Sequence, residues 1–184
     1  MLPDFHANTH QPTKFDLVLH IGVSRPGSIL NFELRARKAG YEKKDWHNNL
    51  ADIVDGETGQ RGFADPRYQA LPDELHSPFL KHADEVVSKL KGDGVVCLCA
   101  SAKVTCADHI SKQPIVTSTD AGLFLCEFIF YCSMAESQLA GRKTPVVFIH
   151  CPPVDDPMST EAVADGVKRI IREVCSHSEF DSQI

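Results

Sequence analysis

One stretch decides how this chain folds: Ser118-Thr119-Asp120-Ala121-Gly122-Leu123-Phe124-Leu125-Cys126. The apolar residues just before it are typical of a short strand, and the long apolar run that follows is typical of a helix. The glycine and the polar residues between them predict a turn. We therefore predict a strand end, a turn and a helix start capped by Thr119 or Asp120, with Cys126 in the first turn or two.

Apolar patterns on both sides of this stretch predict the rest of the fold. The predicted strands are residues 15–23, 29–37, 95–100, 114–118 and 145–153, and the predicted helices are 79–90, 122–139 and 160–176. The first strand is apolar almost throughout, which is typical of a parallel or mixed sheet covered by helices on both faces. This order of elements predicts a three-layer α/β/α domain.

The chain of 184 residues has the length of one domain, and we predict a single domain over residues 1–184. Residues 1–14 carry no periodic pattern and are expected to be a flexible lead-in. Residues 42–78 are polar and rich in glycine and proline, which predicts a long loop.

Charge and cysteine content exclude several classes of protein. The net charge of −6 argues against nucleic acid and anionic membranes as partners. We find neither a signal-peptide run in the first sixteen residues nor an apolar span of membrane length, so we expect a cytoplasmic protein. Seven cysteines, an odd number without zinc-site spacing, predict reduced thiols and no metal ion.

Three residues are candidates for chemistry. A cysteine at a helix N-terminus is activated by unpaired N–H groups and the helix dipole, which makes Cys126 a candidate nucleophile. His150 ends a buried strand and is the candidate base, because both residues follow strand C-termini and are expected to meet at one edge of the sheet. Glu33, a carboxylate in an apolar strand, is the candidate for orienting the imidazole.

Each candidate also has a structural interpretation. A cysteine on an apolar helix is more commonly a core residue, and a histidine at a strand end is commonly a satisfied polar group. Glu33 could instead face water from an edge strand or pair with Arg35 or Arg37. The residue types alone leave these alternatives open.

Three separated blocks resemble one family. Residues 118–131 are similar to the nucleophile segment of pyroglutamyl peptidase I, also called pyrrolidone-carboxylate peptidase. Residues 147–152, Val-Phe-Ile-His-Cys-Pro, resemble that family's histidine strand, and residues 19–41 resemble its glutamate block. The resemblance implies a mixed twisted sheet of phosphorylase/hydrolase type and a Glu-Cys-His triad of Glu33, Cys126 and His150.

The resemblance also implies an activity. Members of the family are thiol omega peptidases that remove an N-terminal pyroglutamate from a small peptide without a metal or organic cofactor. Backbone N–H groups near Cys126 are then the expected oxyanion donors, with Arg35 and Arg37 as further candidates. The resemblance leaves the oligomeric state open.

The chain departs from the family pattern at several places. Leu123 and Phe124 replace the usual arginine and tyrosine, residues 92–113 resemble an insertion, and the family's first strand and aromatic loop have no counterpart. Two alternatives therefore stand beside the peptidase: a family member that binds a peptide or protein without catalysis, and a cysteine amidohydrolase of other specificity.

Overall fold

The computed structural model describes residues 15–82, 85, 87, 88, 115–142 and 144–176. The strands are β1 (Val18–Val23), β2 (Leu30–Glu33), β3 (Arg35–Arg37), β4 (Asp52–Ile53), β5 (Arg61–Gly62), β6 (Glu74–His76), β7 (Ile115–Ser118) and β8 (Val146–Cys151). The helices are α1 (Pro66–Gln69), α2 (Leu125–Leu139) and α3 (Thr160–Ser176), with a 3₁₀ helix at Pro78–His82. The predicted lead-in at 1–14, the strand at 95–100 and the insertion at 92–113 lie outside the described residues.

Within the described residues, the main sheet has four strands in the order β1-β8-β2-β7. β1 pairs with β8 in parallel and β2 pairs with β7 in parallel, whereas β2 and β8 are antiparallel. The sheet is therefore mixed, as predicted.

Strand β8 shows why helices cover both faces of this sheet. All six of its residues are buried, and their side chains alternate between the faces. Val147, Ile149 and Cys151 pack in a cluster with Ile170 and Val174 of α3. Val146 and Phe148 pack on the other side, in a cluster with residues of α2. The three-layer α/β/α prediction is confirmed, and His150 must point to the α2 face.

The predicted strand over residues 29–37 is two strands in two different sheets. The chain switches at Leu34, whose N–H donates to Ser118 O in the main sheet (2.8 Å) and whose carbonyl accepts from Ser77 N (2.9 Å). Beyond that point β3 pairs antiparallel with β6. Apolar and polar residues alternate on both sides of Leu34, so the sequence pattern does not show where the strand breaks.

The predicted loop at 42–78 contains short elements. β4 and β5 form an antiparallel hairpin, and α1 and β6 follow it. Asp55 organises the hairpin turn, because its Oδ1 accepts from Glu57 N at 2.9 Å. Elements of two to four residues have too few apolar positions to show a period, so the loop prediction was wrong in this respect.

The other predicted helices and strands can be compared directly with the structure. β7, β8 and α3 lie where they were predicted, within one or two residues. The predicted helix at 79–90 begins as the 3₁₀ helix and is helical at 85, 87 and 88, and its other residues lie outside the described part. Among the described residues, we find no helix with the length and apolar character needed to cross a membrane.

Candidate active site

Cys126 is the second residue of α2, and the turn before that helix places it there. We call residues 119–124 the Cys126 turn. Gly122 and Leu123 both have positive φ angles, 98° and 49°, so the helix cannot begin at Gly122 as predicted. Phe124 is the N-cap, in an extended conformation and without a side-chain capping bond. The predicted caps, Thr119 and Asp120, do not cap α2.

Strands β1 and β8 bring a glycine and a histidine beneath that cysteine. Gly22 and His150 are register partners in the parallel pair. A Cβ on Gly22 would lie only 3.0 Å from Cys126 Sγ, so the thiol packs directly over this strand. Because Gly22 has no side chain, the sulfur lies close to the sheet on the face that carries His150.

Glu33 lies on the same face and is hydrogen-bonded to His150. In the antiparallel pair Glu33 is opposite Phe148 and His150 is opposite Asn31, so the two side chains are diagonal neighbours. His150 Nδ1–H donates to Glu33 Oε1 at 2.8 Å. Glu33 is 1% exposed and His150 is 7% exposed. The carboxylate therefore pairs with His150 rather than with an arginine or with water.

The charge state of His150 follows from these neighbours. Burial lowers the pKa of the imidazole, but hydrogen-bonding and electrostatic interactions with Cys126 and Glu33 raise it to about 9. The imidazole therefore holds its proton at neutral pH. A protonated imidazole between a sulfur and a carboxylate is the charge arrangement of an activated thiol.

The second carboxylate oxygen of Glu33 is buried without a hydrogen bond to any described residue, so His150 is the partner that stabilises this carboxylate. Glu33 Oε2 is buried and has no hydrogen-bond partner in the described part of the chain. A buried carboxylate oxygen without a partner costs free energy. Such a cost is more typical of a functional site than of a residue retained for stability.

The sequence argument for why Cys126 and His150 should meet was wrong. It assumed that both follow strand C-termini at one edge of the sheet. In the mixed sheet β7 runs antiparallel to β8, so their C-terminal ends lie at opposite edges. The residues meet because the Cys126 turn carries the chain back over the α2 face.

Arg35 and Arg37, considered above as oxyanion donors, are both held elsewhere. Arg35 Nε donates to Thr119 O at 2.8 Å and its Nη1 donates to Glu74 at 2.7 Å. Arg37 binds Glu127 and Asp120. Neither guanidinium is left to point at a substrate carbonyl over Cys126.

A cavity of about 870 Å³ opens beside Cys126. Its wall includes a stacked pair of rings, Phe63 and Phe128, with centroids 4.1 Å apart, and Tyr41 packs edge-on against Phe128 at 5.2 Å. Sequence analysis missed Phe63, because it sits in a stretch predicted to be loop. Among the described residues no group of His, Cys, Asp and Glu is arranged to hold a metal ion.

Comparison with known proteins identifies the fold. No protein-family model matches the chain. Human pyroglutamyl-peptidase 1 is 33% identical over 60 residues, which span 33% of this chain and 26% of that protein. A variant of the pyrrolidone carboxyl peptidase from the hyperthermophile Pyrococcus furiosus superposes with a TM-score of 0.63 at 19% identity, covering 88% of this chain and 70% of that chain.

The fold is that of the pyrrolidone carboxyl peptidases. The enzyme of that name from Fervidobacterium islandicum also superposes, with a TM-score of 0.60 at 16% identity over 88% of this chain and 69% of that one. The resemblance to pyrrolidone carboxyl peptidases found in the sequence motifs is thus confirmed for the fold, although the identity is low.

Proposed function

We propose that this protein is a cysteine peptidase that hydrolyses the amide bond after an N-terminal pyroglutamate. The observation that carries the proposal is the buried Glu33–His150 pair directly beside the Cys126 thiol. The fold shared with pyrrolidone carboxyl peptidases and the partial identity to human pyroglutamyl-peptidase 1 support the substrate class.

The first half of the reaction forms an acyl-enzyme. His150 holds the thiol proton, which the raised pKa of its imidazole favours, and Glu33 fixes the ring with Nδ1–H toward the carboxylate. Cys126 Sγ attacks the carbonyl carbon of the pyroglutamyl residue. The tetrahedral intermediate then expels the amine of the next residue, which takes the proton from His150.

The second half releases the product. Water attacks the thioester carbonyl carbon while His150 accepts a proton from that water. The tetrahedral intermediate then expels the Cys126 thiolate and releases pyroglutamate, which leaves His150 protonated for the next cycle. Oxyanion stabilisation comes from backbone N–H groups in the first turn of α2, since no side chain caps that end. No metal ion or organic cofactor takes part in this mechanism.

The cavity next to Cys126 fits a peptide substrate. Its volume of about 870 Å³ exceeds what one pyroglutamyl ring fills and leaves room for the residues that follow it. We propose that a small peptide substrate binds in this cavity. We also propose that the protein is a single domain and is located in the cytoplasm.

The test is hydrolysis of a pyroglutamyl-coumarin substrate by the wild-type chain and by Cys126→Ala. We expect the variant to lose activity by about 1000-fold or more, because the nucleophile is removed, with its circular dichroism spectrum unchanged. Cys175→Ala, at an exposed thiol, is the matched control and should keep full activity.

Normal activity in Cys126→Ala would overturn the proposal. If the wild-type chain cleaves other amides but not the pyroglutamyl substrate in a panel, the reading as a cysteine amidohydrolase of other specificity replaces it. If no amide is cleaved while peptides still bind, the chain is a binding module.

A further inference from the structure

The backbone that delivers Cys126 is strained and must be held by its surroundings. Leu123 has a φ of 49°, in the left-handed region that a leucine avoids, and it follows Gly122 at 98°. A non-glycine residue in this region destabilises the local backbone. The turn therefore needs contacts that compensate for this cost.

Glu127 supplies these contacts from inside the helix. It is 1% exposed and adjacent to Cys126. Its Oε2 accepts from Leu123 N at 2.8 Å, which ties the carboxylate to the strained residue. Its Oε1 accepts from Arg37 N at 3.0 Å and Arg37 Nε at 2.6 Å, and its Oε2 also accepts from Arg37 Nη2 at 2.9 Å. Four donors saturate the carboxylate.

Arg37 extends the same network to the other end of the turn. Its Nη2 also binds Asp120, and the guanidinium holds the pKa of that carboxyl below its usual value. The Arg37 carbonyl accepts from Tyr41 O–H at 2.5 Å, which fixes β3 beneath the turn. Arg37 thus holds both Asp120 and Glu127, on either side of Leu123.

The segment after β3 packs against Leu123 through Gly40. Gly40 has a φ of 106°, and a Cβ there would lie 3.1 Å from Leu123 Cδ1. The Leu123 side chain therefore rests on the bare backbone of Gly40, while its N–H is fixed by Glu127.

We propose that Glu127 and Arg37 form a positioning pair for Cys126, one that fixes the strained turn so that the thiol faces His150. Neither residue touches the reacting atoms, so neither is a catalytic residue. The catalytic consequence rests on the proposed function, but the position of the thiol can be measured without any substrate.

The experiment measures Cys126 alkylation by iodoacetamide, followed on the peptide that contains it, in wild type, Glu127→Gln and Arg37→Met. We expect the rate constant to fall by about 10- to 100-fold in both variants, because an error of about 1 Å in position has effects of that size. Loss of a negative charge beside the thiol would alone speed alkylation, so a slower reaction in Glu127→Gln identifies a positioning effect.

Lys38→Met is the matched control for Arg37→Met. Lys38 is the next residue, and its ammonium binds Asp73 at 2.8 Å and Leu71 O at 2.9 Å, away from the Cys126 turn. The Lys38→Met variant loses an ion pair of the neighbouring residue, and its alkylation rate should stay that of wild type.

Kinetics on the pyroglutamyl-coumarin substrate give a second readout. We expect kcat to fall in Glu127→Gln with KM within about 3-fold of wild type, since uniform binding is retained. An unchanged or faster alkylation rate in Glu127→Gln, with a lowered melting temperature, would make the pair merely structural and overturn the inference. If the wild type fails to cleave the substrate, the proposed function falls while the alkylation result still decides the inference.

Discussion

At the scale of single residues, His150 is the group whose chemistry depends most on its neighbours. Its pKa is raised to about 9, above the ordinary value of 6.5, against the opposing effect of burial. The sign of the linkage follows from this direction. The stabilisation that protonated His150 gives the fold is complete below pH 6.5 and is lost as the pH rises through about 9.

Replacing Glu33 by Gln tests this dependence. The amide oxygen still accepts from His150 Nδ1–H, but the negative charge that raises the pKa of the imidazole is gone. We expect the alkaline fall of kcat/KM to move to lower pH, measured as a pH profile on the pyroglutamyl-coumarin substrate. Glu161→Gln, at an exposed position in the first turn of α3, should leave the profile in place. A Glu33→Gln profile that coincides with wild type would show that the carboxylate does not set the pKa of His150.

The sequence named the residues with reactive side chains and missed those that act through backbone geometry. Cys126, His150 and Glu33 stood out by residue type and position: a thiol at a predicted helix start, an imidazole at the end of a buried strand and a carboxylate within an apolar strand. Glu127 carried a similar signal, a charge on a helix that is apolar almost all round, and could have been found. Gly22 carried none, because the need for a bare Cα becomes visible only when the thiol above it is placed.

At the scale of elements, the spacing between β1 and α2 sets how near the thiol lies to the sheet. A Cβ at Gly22 would approach Cys126 Sγ to 3.0 Å and the Phe148 ring to 3.0 Å. Gly22→Ala must therefore push the thiol or the ring away. We expect kcat to fall by about 10- to 100-fold, measured on the pyroglutamyl-coumarin substrate with the folded state checked by circular dichroism.

The control for that change is Gly56→Ala. An added Cβ at Gly56 meets nothing within 4 Å, and its activity should match wild type. Gly22→Ala with wild-type kcat would mean that α2 can move outward without disturbing the site.

The bounds of helices and strands were predictable where a regular apolar pattern is long. The predictions were wrong where contacts with distant residues determine where an element begins or ends. The regular pattern of α3 gave its bounds directly. The split between β2 and β3 depends on hydrogen bonds from Leu34 to Ser118 and Ser77, residues far along the chain. Helix α2 begins at Leu125 and not at Gly122, because Leu123 has a positive φ angle. A leucine in the sequence gives no sign of such a conformation.

At the scale of the whole molecule, the two faces of the main sheet have different tasks. The α2 face carries Cys126, His150 and Glu33, whereas the α3 face is an apolar cluster. Stability can therefore be lowered from the α3 side without disturbing the site.

Ile170→Ala tests this division. Ile170 is fully buried in the cluster under α3. Removing its side chain should lower the free energy of unfolding by about 2–5 kcal/mol, measured by urea denaturation. We expect kcat at a temperature where the variant is folded to remain that of wild type. A fall in kcat matching that of Gly22→Ala would show that the two faces are coupled.

The class of the fold was predictable, but the directions of its strands were not. Buried strands and amphipathic helices in this order predicted three layers. The antiparallel step between β2 and β8 leaves no mark on composition, since each strand is buried on both faces whichever way it runs. Cys126 and His150 were therefore expected to meet at one edge of the sheet, whereas they lie together on its α2 face.

The bonds of the site have a consequence for how the protein is made. The partner of Glu33 is His150, 117 residues further along the chain, and the partner of Arg37 is Glu127, 90 residues further along. Contacts of such separation form late in folding, after the long loops between them have closed. A chain emerging from the ribosome therefore presents Cys126 without His150 until β8 has been synthesised and docked. The Cys126 thiol therefore gains its contact with His150 only when β8, the last of the described strands along the chain, has joined the sheet.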